Sequence, residues 1–166
     1  MPAYRIEPLA DRHDRSGFAC GVEPLDRYLR TQAGQDARRR TASCFVAVEE
    51  GGRTVAGYYT LAATSLMLTD LPPGLVKRLP RYPAVPATLM GRLAVDQRHH
   101  GRRLGELLLF DAFARTLRSD IATYAFVVDA KDDAAQAFYA RYRFLTLAPG
   151  GRRLFLPVAE IAKLFA

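Results

Sequence analysis

The segment Arg98-His99-His100-Gly101-Arg102-Arg103-Leu104-Gly105 puts cations and two glycines where a strand pattern gives way to a helical one. That combination suits a phosphate or pyrophosphate. A helix start leaves its first N–H groups without intrahelical acceptors and carries partial positive charge. Gly101 lacks the Cβ that would keep an anion from the backbone, and Arg98, Arg102 and Arg103 add formal charge around the same point. Neither GxxxxGK[ST] nor GxGxxG occurs, so this is neither a Walker A loop nor a dinucleotide fingerprint. The competing reading is a solvated basic loop whose glycines serve packing.

A strand and a helix must hold that turn. Ala87–Val95 reads as the strand, and residues 102–119 as the helix, with Leu104, Leu107, Leu108, Ala112 and Leu117 on one broad face. Upstream, residues 22–38 read as one helix with Pro24 in its first turn and Leu25, Tyr28, Leu29 and Gln32 at the helical period. Ser43–Glu49 is a strand, Gly51-Gly52 a hairpin turn, and Thr54–Leu68 a strand pairing back. Prolines break residues 69–86 into a loop too long for a hairpin, a candidate functional flap. Downstream, Tyr124–Asp129 is a buried strand, and Asp132 or Asp133 caps a helix reaching Tyr142. Phe144–Leu147 and Arg153–Leu156 form a hairpin around Gly150-Gly151, and Val158–Phe165 an amphipathic helix. The order predicts one mixed α/β domain, residues 1–166, on a single central sheet.

Composition narrows the field. No apolar run approaches the roughly 20 residues needed to span a bilayer, and the first residues lack the apolar core of a secretory signal. The reading is therefore a cytoplasmic protein with no membrane partner, and Cys20 and Cys44 as ordinary thiols. Lys and Arg number 24 against 17 for Asp and Glu, a formal net charge of +7. That excess fits a polyanionic partner, and equally a soluble protein from an arginine-rich proteome. Adjacent His99 and His100 lack the i, i+4 spacing of a helical metal site, so no metal is expected. No GxSxG occurs and neither cysteine has a base motif beside it, which argues against a Ser or Cys nucleophile.

The turn resembles the acetyl-CoA motif of the GNAT superfamily of N-acetyltransferases: Gln or Arg, two residues, Gly, one residue, then Gly or Ala. Arg98 and Gly101 match, and Arg103 stands where the small residue belongs. Gly105, one helical turn past Gly101, is placed for close helix–sheet packing. The block Ala134-Ala135-Gln136-Ala137-Phe138-Tyr139-Ala140-Arg141-Tyr142-Arg143-Phe144 is similar to the superfamily's later motif. The resemblance implies an α/β (α+β) fold with a central mixed, mostly antiparallel twisted sheet flanked by helices. It implies acetyl-CoA as co-substrate, with its pyrophosphate on Arg98–Gly105, including Arg102, Arg103 and Leu104, and with Phe138 beside the cofactor. It also implies that backbone N–H groups of Leu93, Ala94 and Val95 polarise the thioester carbonyl, an oxyanion-type role. Tyr139 takes the place of the tyrosine that protonates the departing thiolate. A phenol titrating at about 10 is protonated at neutral pH and able to donate. Packing against the cofactor is its other reading, and Tyr142 is the alternative donor.

A narrower resemblance runs along nearly the whole chain. Phe18-Ala19-Cys20-Gly21, Leu25–Leu29, Gln32-Ala33, Gln35-Asp36, Phe45–Val48, Leu79–Pro83, Gly91–Asp96 and Asp129–Asp132 are similar, in this order, to the acetyltransferase toxins of bacterial type II toxin–antitoxin pairs. It implies acetylation of the α-amino group of aminoacyl-tRNA, which blocks translation, a ribbon-helix-helix antitoxin as partner, and a homodimer. The chemistry agrees. Even a free α-amine titrates at only about 7.7–8.0, so such an acceptor needs little help from a base, and no His or Glu presents itself as one. Arg38, Arg39, Arg40, Lys77, Arg78, Arg81 and Arg92 are placed to steer an acceptor end toward the site. Acetylation of a small amine or a protein N-terminus is the alternative, as is a non-catalytic module binding CoA or nucleic acid.

Overall fold

The computed structural model describes residues 3–147 and 150–166. Its strands are β1 (Tyr4–Pro8), β2 (Ser43–Glu49), β3 (Val55–Met67), β4 (Ala84–Val95), β5 (Ala125–Asp129), β6 (Leu145–Thr146) and β7 (Arg153–Pro157). Its helices are α1 (Glu23–Thr31), α2 (Ala33–Arg39), α3 (Pro73–Val76), α4 (Leu104–Arg118), α5 (Asp133–Ala140) and α6 (Val158–Leu164). The strands form a seven-stranded sheet in the order β1-β2-β3-β4-β5-β7-β6. β1 with β2, β2 with β3, β5 with β7 and β6 with β7 are antiparallel, and β4 with β5 is parallel. This is the mixed, mostly antiparallel sheet expected.

The chain packs as two compact units, one made of the residues up to Ala62 with Gly91–Ala114, the other of Ala63–Met90 with Arg115–Ala166. In the first, the period-2 alternation of β3 sends neighbouring tyrosines to opposite faces. Tyr58 joins Phe18, Tyr28, Leu29, Ala33, Cys44, Val46 and Ala94 in one apolar cluster beneath α1 and α2. Tyr59 stacks on Phe45 and donates its hydroxyl to Asp111 of α4 at 2.6 Å. Helix α4 buries Leu104, Leu108, Leu109, Ala112 and Phe113 at helical spacing. It packs tightly on the sheet at Gly57, where a Cβ would meet Leu108 Cδ1 at 2.9 Å and the Ala94 carbonyl at 3.1 Å. In the second unit, Leu66, Leu71, Val85, Ala87, Ala125, Val127 and Phe155 form the core.

The structure corrects several boundaries. The helix expected over 22–38 breaks at Gln32 (φ −118°, ψ −34°) into α1 and α2. Thr31 Oγ1 donates back to the Arg27 carbonyl at 2.7 Å, a bond that bends helices, and Gly34 weakens the turn that follows. The buried partner of Leu29 is Ala33, and Gln32 is exposed. Helix α4 starts at Leu104 rather than Arg102, because Gly101 (φ +81°) and Arg103 (φ +60°) are left-handed. Helix α5 ends at Ala140, two residues short of Tyr142, with Arg143 at φ +71°. The proline loop holds a 3-10 turn, Leu68–Asp70, and α3, and its last residues already belong to β4. Strand β1 was not anticipated. Residues 148 and 149, before the expected Gly150-Gly151 turn, lie outside the described residues.

Candidate active site

Strand β4 pairs with β5 over Ala87–Met90 and continues beyond that ladder to Val95. Of the expected oxyanion-type donors, Ala94 is buried and Leu93 and Val95 half-buried. The turn begins where β4 ends. Asp96 is 1% exposed and its N–H donates to the Ala56 carbonyl at 2.8 Å. Its carboxylate accepts from Ala19 N–H (3.1 Å), Arg98 N–H (2.9 Å) and the Arg98 guanidinium (Nε 3.0 Å, Nη2 3.2 Å). Burial alone would raise its pKa; Arg98 and the two N–H groups outweigh that and hold it down at about 2. Gln97 N–H donates to the Ala19 carbonyl at 2.9 Å, and His100 Nε2 lies 2.9 Å from the Val95 carbonyl. The turn is thus pinned to β3, to the segment before α1 and to the end of its own strand.

The side chains expected to add charge to a cradle have partners of their own. Arg98 lies on Asp96. Arg102 Nη1 is 3.4 Å from the Tyr4 hydroxyl and 3.5 Å from Glu49 Oε1, while Arg103 pairs with Glu106 at 3.1 Å. All three guanidiniums are therefore engaged in ion pairs within the protein. A Cβ at Gly101 would meet nothing within 4 Å, so this glycine is required by its positive φ and leaves open space outside the turn. Arg103, where the acetyl-CoA motif has a small residue, adopts a glycine-like φ of +60°. Strain of this kind persists where the surroundings impose it. Leu107 N–H bonds the Arg103 carbonyl at 3.1 Å and starts the helical ladder, and Gly105 is half-buried. Tyr4 and Arg102, with Ala3, Arg103, Glu106, Leu107 and Phe110, line a groove of about 340 Å³.

Tyr139 belongs to the second unit. Asp132 caps α5 by accepting from Ala135 N–H at 2.8 Å, and the helix carries Tyr139 into a nest of rings. Phe138 and Phe144 lie 5.2 and 5.4 Å away, centre to centre. Tyr139 is buried, and that burial, with the Asp129 carboxylate adding to it, pushes its phenol well above the ordinary range. It is thus a protonated hydroxyl at neutral pH. Asp129 is gripped by Arg153 through a two-pronged pair at 2.7 and 2.9 Å. Phe138 is half-buried, with the Arg141 guanidinium 5.4 Å from its ring centre.

The arginines expected to meet a polyanion divide into two kinds. Arg38 and Arg39, at the end of α2, are exposed, and so are Arg78 and Arg81 beside α3. Arg92 is half-buried on β4, its guanidinium carbon 3.5 Å from the ring centre of Tyr28. Tyr28 in turn donates to Asp36 at 2.7 Å. Asp96, Tyr28 and Asp36 are not among the site residues expected from the sequence. Asp96 had a usable signal, a capping carboxylate between the strand and the Arg98–Gly105 turn, and the structure shows it capping a 3-10 turn, Gln97–His99, whereas nothing local pairs Tyr28 with Arg92. Both cysteines are free thiols, and burial pushes Cys44 up to about 12. Among the described residues, no three His, Cys, Asp or Glu side chains gather as a metal site, and no helix is long and apolar enough to cross a membrane.

Comparison with known proteins agrees with this layout. The model of the acetyltransferase (GNAT) family matches residues 12–144. The probable toxin TacT of Sinorhizobium fredii (strain NBRC 101917 / NGR234) is 30% identical over 96% of this chain and 93% of its own. The tRNA-acetylating toxin of Mycobacterium tuberculosis (strain ATCC 25618 / H37Rv) is 38% identical over 82% of this chain and 81% of its own. Among solved structures, AtaT complexed with acetyl-methionyl-tRNAfMet superposes with a TM-score of 0.88 at 27% identity, covering 99% of this chain and 100% of AtaT. The same toxin is known with its antitoxin AtaR, bound with acetyl-CoA (TM-score 0.83, 26% identity, 98% of each chain). With the family model spanning most of its length, this chain belongs to the GNAT acetyltransferase family.

Proposed function

We propose that the chain is a toxin that transfers acetyl from acetyl-CoA to the α-amino group of aminoacyl-tRNA. The observation that carries this reading is the similarity of the chain to the tRNA-acetylating toxin and, along nearly its whole length, to the probable toxin TacT and to AtaT, solved in complex with acetyl-methionyl-tRNAfMet. The family match runs through segments of both compact units, which supports treating residues 1–166 as one acetyltransferase domain.

Acetyl-CoA, when bound, supplies the activated thioester. The backbone of the Arg98–Gly105 turn holds the pyrophosphate, with the α4 dipole behind it. N–H groups of Leu93, Ala94 and Val95 receive the carbonyl oxygen as charge develops on it. The neutral α-amine attacks the carbonyl carbon, forming the amide and breaking the C–S bond. The Tyr139 hydroxyl gives its proton to the departing sulfur and regains one from solvent. The proton lost by the amine goes to solvent, consistent with an acceptor of low basicity. Arg38, Arg39, Arg78, Arg81 and Arg92 attract the acceptor end. The antitoxin that restrains such a toxin is of ribbon-helix-helix type, the toxin acts as a homodimer, and the reaction takes place in the cytoplasm.

The test offers labelled acetyl-CoA with aminoacyl-tRNA, deacylated tRNA and free amino acids across a salt series. Label is expected on aminoacyl-tRNA alone, with an apparent affinity falling steeply as salt rises. Equal labelling of free amino acids with no salt dependence would end the tRNA reading and keep the acetyltransferase.

A further inference from the structure

Four side chains meet where the cofactor turn lies against the first two strands. His99 is 13% exposed, and its Nδ1 lies 2.7 Å from the Tyr4 hydroxyl, the rings edge-on with centres 5.6 Å apart. Arg102 Nη1 is 3.3 Å from the same Nδ1 and 3.4 Å from the Tyr4 oxygen. Glu49 Oε1 is 3.5 Å from Arg102 and 3.7 Å from His99 Nδ1. A guanidinium only donates, so Nδ1 is the acceptor and the ring proton sits on Nε2. The Tyr4 hydroxyl therefore accepts from Arg102 and donates to His99, a chain of two bonds running from one residue of the turn, through β1, to another. It brackets Gly101 (φ +81°), and Arg103, the residue after the chain's Arg102, holds a left-handed φ of +60° that is uncommon for a residue with a side chain.

We infer that Tyr4 and His99 are positioning residues for acetyl-CoA, bracing the Arg98–Arg102 turn in its binding shape through the Arg102–Tyr4–His99 chain, with Glu49 holding Arg102 from β2. The inference rests on the proposed acetyl-CoA reading. It assigns Arg102 a different task from that expected of its charge: its side chain ties the turn to the sheet, and its backbone remains to face the phosphates. A proton on Nδ1 would reverse the Tyr4 bond and set two cations 3.3 Å apart. Burial favours neutral His99, with Arg102 and Arg98 acting in the same sense and Glu49 and Asp96 opposing. Lowered from its ordinary value of about 6.5, His99 keeps the chain intact above that pH. The chain is lost as pH falls through the lowered value.

The test measures acetyl-CoA binding by calorimetry, and kcat and KM with saturating aminoacyl-tRNA. Tyr4→Phe is expected to raise Kd and KM for acetyl-CoA roughly threefold to tenfold, the effect of one hydrogen bond, and to leave kcat alone. His99→Phe should match it and remove the fall in affinity on acidification. His99→Asn, whose amide oxygen can stand in for Nδ1, should recover most of the loss. The double variant Tyr4→Phe with His99→Phe should be no worse than the weaker single variant, because both break the same chain. Unchanged Kd in Tyr4→Phe, additive losses, or an asparagine as poor as the phenylalanine would overturn the inference. A parent protein that does not bind acetyl-CoA would instead sink the proposed function itself.

Discussion

The turn that opens α4 and the helix that carries Tyr139 are built on opposite plans. In the turn, polar side chains are spent on structure: Asp96 takes up two N–H groups and the Arg98 guanidinium, and Arg102 and His99 are tied to Tyr4. Tyr139 is held by rings, those of Phe138 and Phe144, and burial only keeps its proton on. The difference suits the tasks proposed for the two regions. A surface that binds through its backbone must have that backbone fixed, and side-chain hydrogen bonds do so at fixed geometry. A proton donor must be aimed with its proton available, and apolar packing aims a ring without drawing on its hydroxyl.

The contrast is most sharply tested by removing one oxygen. Tyr139→Phe keeps the ring and its packing, so the fold and acetyl-CoA affinity should stay as they are. Turnover should fall roughly 10²-fold, the low end for acid–base roles. Calorimetry alongside steady-state kinetics separates the two. Full activity would mean that Tyr139 is packing alone, and would move the proton to Tyr142 or to water.

How far the sequence revealed these plans depends on how local each one is. The glycine-and-arginine turn, β4, the Asp132 cap and Tyr139 all announce themselves within a few residues. The 22–38 helix was read too long because its break depends on a back-bond from Thr31 to Arg27 that its apolar period does not disclose. Strand β1 reads Tyr-Arg-Ile-Glu-Pro, short and half polar, and is a strand because Tyr4–Pro8 pairs with Glu49–Phe45. The close helix–sheet approach at Gly57 depends on Leu108, far along the chain. Charge was the least legible feature. Composition shows the arginines, but not that Arg98, Arg102 and Arg103 have partners already.

Gly101 tests the other plan, at about a tenfold effect. Its φ of +81° penalises any Cβ by roughly 1–2 kcal/mol, although the Cβ itself would meet open space. Gly101→Ala should therefore lower the melting temperature and weaken acetyl-CoA about tenfold. Gly101→Asn separates the two causes, since asparagine tolerates this backbone region. It should restore most of the stability and little of the affinity if phosphate oxygens come up against the glycine. Recovery of both would mean that the glycine serves the turn alone and that the anion binds elsewhere along it.

The same division between tied and untied groups recurs among the arginines, where the expected effects are smallest. Arg78 and Arg81 are exposed beside α3, whereas Arg92 lies against the Tyr28 ring, itself anchored by Asp36. An untied arginine offers charge at no fixed point. Removing it should weaken tRNA binding a few-fold and cut the slope of log affinity against log salt by about 0.7–0.9 for each phosphate no longer neutralised. Neutralising Arg78 and Arg81 together should show that slope change with acetyl-CoA affinity intact. Arg92 is fixed by its stack, so its position matters as well as its charge. A lysine keeps the charge but cannot lie flat against the Tyr28 ring. Arg92→Lys should therefore leave the salt slope nearly as it was and still reduce acetylation of aminoacyl-tRNA, whereas Lys at 78 and 81 should be silent in both. If Arg92→Lys is equally silent, Arg92 contributes charge alone, and the tied-versus-untied distinction does not extend to the acceptor side.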